Sequence, residues 1–243
     1  MSDTPLIDVA RQWVTTYPYN SGHLTQSLVW LDRLAPGRRE AVRLATLTHD
    51  MERAFPGPDQ PLPARLNDDA YYHAHSERSA RIVSAWLREQ GAPGEHDTLA
   101  RDVEALVLVH EFGGWPEANL VQAADSLSFL ETNIDLFLDF ARSDRYPVED
   151  IAIKFHWMLD RIQIDDARTF GEPMLAQALT RLAQLNAQMA GGGERVGGSG
   201  GAEPPGVARA SEAREPRERS GESGAPARER VGGSGGAEPP GVQ

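Results

Sequence analysis

The chain contains no cysteine among its 243 residues. This absence excludes a disulfide framework, a thiolate metal site and a cysteine nucleophile. Any metal ion must therefore be held by histidine, aspartate or glutamate side chains. Lysine is nearly absent too: Lys154 is the single lysine, and arginine supplies the other basic side chains.

Long apolar runs and an excess of positive charge are also missing. No apolar stretch approaches the roughly 20 residues of a membrane span, and the opening MSDTPLIDVARQW has no signal-peptide pattern. The formal net charge of -12 argues against coating nucleic acid or binding an anionic membrane surface. Neither a Walker loop nor a dinucleotide fingerprint is present. We therefore expect a cytoplasmic protein whose partner is a small molecule, with neither nucleic acid nor membrane bound.

The composition changes near Ala190. Beyond it, Gly, Pro, Arg, Glu, Ser and Ala dominate, and the segment ERVGGSGGAEPPGV occurs at 194–207 and again at 229–242. A segment without aromatic residues has almost nothing to bury, so we expect residues 191–243 to be a disordered tail. The tail is either a dispensable extension or a partner-binding segment. Residues 1–190 are predicted to form one domain, which carries nearly all of the negative charge.

Residues 1–190 have a helical pattern almost throughout. Apolar residues recur at spacings of three and four in successive segments, such as PLIDVARQWVTTY, RREAVRLATLTHDMERAF and VEDIAIKFHWMLDRI. One predicted helix runs from Glu117 to about residue 141, after a Gly-Gly turn and Pro116. No segment alternates with a period of two. The prediction is an all-α fold, a single bundle of about seven or eight helices.

Four of the seven histidines lie at or near predicted helix ends, each beside a polar break: His23, His49, His75 and His110. Neutral imidazole is a good ligand for transition metals, and a carboxylate such as that of Asp50 can bridge two ions. Helices of a bundle can bring such residues to one central site. The spacing therefore indicates a metal centre built from several helices.

The order His23, His49-Asp50, Asp125 resembles the HD superfamily of metal-dependent phosphohydrolases, whose signature is a His, a His-Asp pair and a distal Asp. Two further segments, HSERSARIV at 75–83 and VLVHEFGGWPEANLVQAADSLSFLE at 107–131, resemble its two-metal subset. That subset includes bacterial diadenosine tetraphosphate hydrolases. The likeness extends over roughly residues 20–135.

The resemblance implies an HD-type bundle that holds two divalent transition metal ions, Fe, Mn, Ni or Zn. His23, His49, Asp50 and Asp125 would bind the first ion. Asp50 would bridge to a second ion, which His75 and His110 would complete. His73 competes with His75, because residues two apart on a helix face different ways and only one should point inward. His96, in a Pro-Gly loop, is expected to be exposed, and His156 is expected to be structural or on the surface.

Three basic residues are candidates for phosphate binding. Arg53 stands three residues after Asp50, where the family often carries a basic residue, and the resemblance gives it a catalytic and substrate-binding role. Glu52 occupies a position where many relatives have glycine. Arg78 and Lys154 are further substrate-binding candidates. For each of the three, a surface ion pair or a solvated helix face is the alternative.

The implied activity is hydrolysis of a phosphoester or phosphoanhydride in a nucleotide-like substrate, with the metal ions activating the attacking water. Two alternatives use the same residues. An HD-type diiron oxygenase would have the same ligands and consume O₂, and a regulatory module would bind metal without catalysis.

Overall fold

Nine α-helices and one 3₁₀ helix make up the secondary structure of residues 5–91 and 93–192, the part of the chain that the computed structural model describes. No strand occurs in this part. The first helices are α1 Leu6–Thr15, α2 Pro18–Leu34, α3 Glu40–Thr48, a 3₁₀ helix Met51–Ala54 and α4 Asp69–Arg88. The later helices are α5 Asp97–Leu108, α6 Pro116–Thr132, α7 Ile134–Arg142, α8 Val148–Asp160 and α9 Asp165–Gly192. The predicted all-α class is confirmed.

The helix predicted from Glu117 to about residue 141 is in fact two helices. The chain breaks at Asn133, whose φ and ψ are -101° and -5°. Asparagine is a weak helix former, and α7 begins directly after it, with Ile134 and Phe137 buried in the core. The described residues therefore contain nine α-helices, whereas about seven or eight were predicted.

Local signals explain where several helices begin. Proline occupies the first position of α2 and of α6, where the missing N–H has no partner to lose. Asp68 precedes α4, and its side chain accepts hydrogen bonds from the backbone N–H groups of Ala70 and Tyr71 at 3.1 and 3.3 Å.

The core lies between helix pairs that bury large apolar side chains. α2 packs along α6, and α4 packs along α5, while α8 and α9 cover α6 from the other side. Leu28, Leu44, Leu127 and Phe155 are almost completely buried among them. Burial on this scale is the main stabilising contribution to a helical bundle. It holds the ends of α3 and α5 beside the middle of α2, α4 and α6.

The end of α3 explains why a His and an Asp stand side by side. α3 ends at Thr48, His49 still has helical angles, and Asp50 has φ -103° and ψ 15°. The chain then turns into the 3₁₀ helix. On a continuous helix adjacent side chains would point about 100° apart, but this break lets both face the interior of the bundle.

The described residues lie within one compact unit. Among them, no helix combines the length and hydropathy needed to cross a lipid bilayer. The predicted disordered tail and its duplicated segment fall outside the described residues, except for the last two residues of α9.

Candidate metal centre

Six candidate ligands come together from five helices. They are His23 on α2, His49 and Asp50 after α3, His75 on α4, His110 just beyond α5, and Asp125 on α6. Each is buried, with at most 8% of its surface exposed. The structure thus brings together all six residues that the sequence singled out.

The spacing of their ligand atoms is that of groups around a common ion. Asp125 Oδ1 lies 3.1 Å from His23 Nε2 and 3.4 Å from His49 Nε2. Asp50 Oδ1 lies 2.8 Å from His75 Nε2 and 3.9 Å from His110 Nε2. Neighbouring ligands bonded to one ion at about 2.1 Å stand roughly 3–3.5 Å apart.

The six residues form three overlapping trios, within each of which the ligand atoms lie within 4.8 Å of one another. The trios are His23, His49 and Asp50; His49, His110 and Asp125; and Asp50, His75 and His110. Asp50, His49 and His110 each belong to two trios, and Asp50 is the carboxylate among them, as a bridging carboxylate would be.

The ring orientation of two histidines is fixed by backbone carbonyls. His49 Nδ1 donates to Thr46 O at 2.9 Å, and His110 Nδ1 donates to Val107 O at 2.7 Å. A carbonyl oxygen can only accept, so the proton must be on Nδ1. Nε2 then faces the cluster, and in the neutral ring it has the free lone pair that metal ligation requires.

Side chains fix the other two rings in the same way. The hydroxyl of Ser128 donates to His23 O at 2.7 Å and so can accept from His23 Nδ1 at 3.0 Å. His75 Nδ1 donates to the carboxylate of Glu52 at 2.9 Å. Carboxylate–histidine pairs of this kind orient ligands in metalloproteins. Glu52 thus supports His75.

Three of the inward-facing nitrogens are buried without a hydrogen-bond partner in the described part of the chain: Nε2 of His49, His75 and His110. The 2.8 Å contact between His75 and Asp50 lacks hydrogen-bond geometry. Leaving buried polar atoms unpaired costs free energy. Divalent cations bound within the cluster would satisfy all three, so the residues present fit metal binding.

The electrostatics of the cluster favour added positive charge. Burial alone would raise the pKa of Asp50, but Arg53 and His75 hold it well below its usual range. Burial likewise opposes the charge of His49, yet Asp125 and Asp50 together with the Thr46 carbonyl outweigh it and raise the pKa of His49 to about 9. Burial lowers the pKa of His110 to about 4, which keeps its imidazole neutral.

The other histidines lie away from the cluster. His75 is fully buried, whereas His73 is exposed and stacks on Phe112 with ring centroids 4.4 Å apart. The inward member of the pair is therefore the predicted one. His156 is exposed and His96 is half-buried.

A cavity of about 410 Å³ opens onto the cluster, and His23, Asp50 and Asp125 contribute to its lining. Its basic lining residues are Arg53, Arg65, Arg145, Lys154 and Arg161. Its aromatic lining residues are Tyr19, Tyr71, Tyr72, Phe129, Phe137, Phe140 and Tyr146. The cavity therefore combines candidate metal ligands, positive charge and flat apolar surfaces, although the chain as a whole is acidic.

The three predicted phosphate-binding residues have different positions. Arg53 lines the cavity, with its Nε 2.9 Å from Asp50 Oδ2. Lys154 is buried rather than on a solvated face: its Nζ donates to Tyr72 OH at 2.9 Å, and burial lowers its pKa to about 7. Arg78 is not among the described residues that line the cavity. It lies behind the cluster, where it donates to the carboxylate of Glu52 at 3.1 Å.

Sequence reasoning missed Arg161. This buried arginine donates to the carboxylates of Asp125 and Glu111 and, at 2.8 Å, to the hydroxyl of Ser126. One signal was available: Arg161 stands about two helical turns after Lys154, directly after the last residue of α8, Asp160. Nothing in the sequence paired it with Asp125.

Comparison with known proteins gave no match. No protein-family model, no curated protein and no solved structure is significantly similar to this chain.

Proposed function

We propose that this protein is an HD-type, metal-dependent phosphohydrolase that acts on a phosphoester or phosphoanhydride of a nucleotide-like substrate. The observation that carries the proposal is the combination of six candidate ligands with one cavity of cationic and aromatic lining. The order of those ligands along the chain, which resembles the HD signature, supports it.

We assign two ions to the cluster. His23, His49, Asp50 and Asp125 would hold the first, and Asp50, His75 and His110 the second. A divalent ion supplies Lewis acidity and lowers the pKa of water in its coordination sphere. The chain itself needs no serine or cysteine nucleophile for this chemistry.

The chain's own cations would bind the phosphate. The side chain of Arg53 is 32% exposed and lies beside Asp50, so guanidinium N–H groups are available to phosphate oxygens. Lys154 provides a second positive group in the lining of the same cavity. The side chains of Arg53 and Lys154 would hold an anionic group close to the candidate metal ligands.

The aromatic lining suits the organic part of a nucleotide. Arg145 places its guanidinium 4.5 Å from the ring centroid of Phe140 and 5.7 Å from that of Tyr146. Rings and a guanidinium plane of this kind stack on planar groups such as bases. A substrate that joins a phosphate to a flat ring would therefore use both kinds of lining.

Phosphate release under anaerobic conditions tests the proposal. Metal-free protein is reloaded with Fe²⁺, Mn²⁺, Ni²⁺ or Zn²⁺ and given a panel of nucleotides and simple phosphoesters. We expect release with at least one ion and none with the metal-free protein. Asp50→Ala should keep its helical circular dichroism spectrum but lose metal and turnover.

Two results would contradict the hydrolase. Substrate-dependent O₂ consumption by a diiron form, without phosphate release, would indicate an oxygenase. Tight metal binding with no turnover of any substrate would indicate a binding module.

A further inference from the structure

Arg161 makes its contacts on the side of the cluster that holds Asp125. Asp125 directs Oδ1 toward His23 and His49, while its Oδ2 accepts from Arg161. The guanidinium also binds Glu111 and Ser126, and it lies 4.6 Å from the ring centroid of Trp157. Its side chain is only 5% exposed. Arg161 therefore holds protein side chains in place. Because it binds Oδ2 of Asp125, Oδ1 is the oxygen that faces the histidines.

Arg78 makes its contacts on the opposite side. Its guanidinium donates to the backbone O of Glu52 at 2.9 Å and to Glu52 Oε2 at 3.1 Å. A further bond to Phe55 O at 2.7 Å anchors it. The other carboxylate oxygen of Glu52 accepts from His75 Nδ1. Arg78 thus holds the carboxylate of Glu52, and this carboxylate in turn orients the ring of His75.

We propose that these two buried arginines are positioning residues for different metal ions. Arg161 orients Asp125 for the ion that His23 and His49 would hold. Arg78, acting through Glu52, orients His75 for the ion that His110 would complete. The assignment rests on the two-ion centre proposed above, and it adds which residue outside the ligand set supports each ion.

The physical basis is the rigid fork of the guanidinium. A planar group with several N–H donors holds a carboxylate in one orientation, whereas an ammonium group acts as a point charge. Removing the partner that orients a metal ligand typically weakens metal binding by about 10–100-fold. In each variant, we expect weaker binding of the ion whose ligand is no longer held in place by the arginine.

Metal counting in combined variants tests the assignment. Each protein is dialysed against a low free concentration of Mn²⁺ and its metal content is measured by elemental analysis. Wild type should hold two ions per chain, and Arg161→Gln and Arg78→Gln about one each. His110→Ala, which removes a ligand of the second ion, should also hold about one.

Double variants distinguish the role of Arg161 from that of Arg78. In the His110→Ala background, Arg161→Gln should reduce binding to nearly zero, while Arg78→Gln should leave about one ion, because it acts on the ion already lost. In a His23→Ala background the two results should be exchanged.

Arg39→Gln is the matched control. Arg39 pairs with Asp102 on α5 and Glu117 on α6 at the surface, without touching a candidate ligand. The Arg39→Gln variant should therefore keep two ions.

Circular dichroism checks folding, and if Arg161→Gln does not fold, Arg161→Lys takes its place. In the His110→Ala background we expect Arg161→Lys to bind Mn²⁺ at least about tenfold more weakly, and Arg78→Lys to bind it unchanged.

Equal losses in both backgrounds would overturn the assignment, and so would exchanged losses or fewer than two ions in wild type. Unaltered binding by Arg161→Lys in the His110→Ala background would overturn it too. The proposed function fails separately. If the counts follow the predicted pattern but no substrate releases phosphate, the positioning roles stand and the hydrolase does not. If phosphate is released and the counts do not follow, only the positioning roles are wrong.

Discussion

His73 and His75 lie two residues apart on α4 and point in opposite directions, one stacked on Phe112 and the other toward Asp50. We predict that His75→Ala lowers the metal content by about one ion per chain. His73→Ala, the matched control, should leave it unchanged, because its ring is exposed. Elemental analysis of both variants checks this, and metal loss in His73→Ala alone would show that the wrong member was assigned.

Lys154 should give substrate binding a pH dependence. Burial lowers its pKa to about 7, although Glu111 and Asp125 pull the value upward while Arg161 and Arg53 push it downward. The ammonium is present below this pKa and is lost as the pH rises through it. We therefore expect KM for a phosphorylated substrate to increase between about pH 6 and pH 9, by on the order of tenfold.

Lys154→Met distinguishes this effect from changes in the chemical step. Its KM should be high at every pH, whereas any pH dependence of kcat should persist. A KM profile that is the same in wild type and Lys154→Met would remove Lys154 from substrate binding.

The residues of the site differed in how far sequence could predict them. His23, His49, Asp50 and Asp125 follow an ordered motif, so their convergence was expected. Arg161 was not, because its partner Asp125 lies 36 residues away and an arginine on an amphipathic helix usually faces water. The burial of Lys154 depends on Tyr72 and Trp157, and only tertiary packing shows that these rings surround it.

At the scale of elements, the turn between α5 and α6 places Glu111 beside the cluster. Gly113 has φ +70°, and a Cβ there would contact Asn119 and Gln163 side chains. A left-handed conformation costs a residue other than glycine about 1–2 kcal/mol. We predict that Gly113→Ala lowers the melting temperature by several degrees.

Gly22→Ala is the control for that prediction. Gly22 lies inside α2, where a Cβ would meet no atom within 4 Å. Alanine is favoured over glycine in a helix by up to about 1 kcal/mol, so its melting temperature should stay the same or rise. Equal destabilisation by both substitutions, measured by thermal unfolding, would contradict a specific role for the turn.

Helices were predicted well wherever the apolar period was long. The breaks at Asn133 and after Thr48 were harder, because apolar residues continue on both sides of each break. The break after Thr48 is the one that matters for function, since it lets His49 and Asp50 face one interior space.

At the scale of the whole molecule, we predict that truncation after Ala190 leaves folding and turnover unchanged. The removed segment has no aromatic residue and few apolar ones, so it can add little to a core. Thermal unfolding, metal content and phosphate release of the truncated chain check this. A large fall in any of them would assign the segment a structural or functional role.

The charge of the molecule is also organised at this scale. The chain is acidic overall, and one cavity is lined by five basic residues and by the four carboxylates Asp50, Glu52, Glu111 and Asp125. A surface of net negative charge repels anions in general, so binding of an anionic substrate would depend on the local positive field of the basic residues. Bound divalent ions would strengthen that local field.

The central claim is that six residues from five helices hold two ions. Anomalous diffraction from crystals loaded with Mn²⁺ alone tests it most directly. We predict two peaks per chain, roughly 3.5–4 Å apart, one bonded to His23, His49, Asp50 and Asp125 and the other to Asp50, His75 and His110. A single peak, or peaks that leave the Nε2 atoms of His75 and His110 unbonded, would contradict the account.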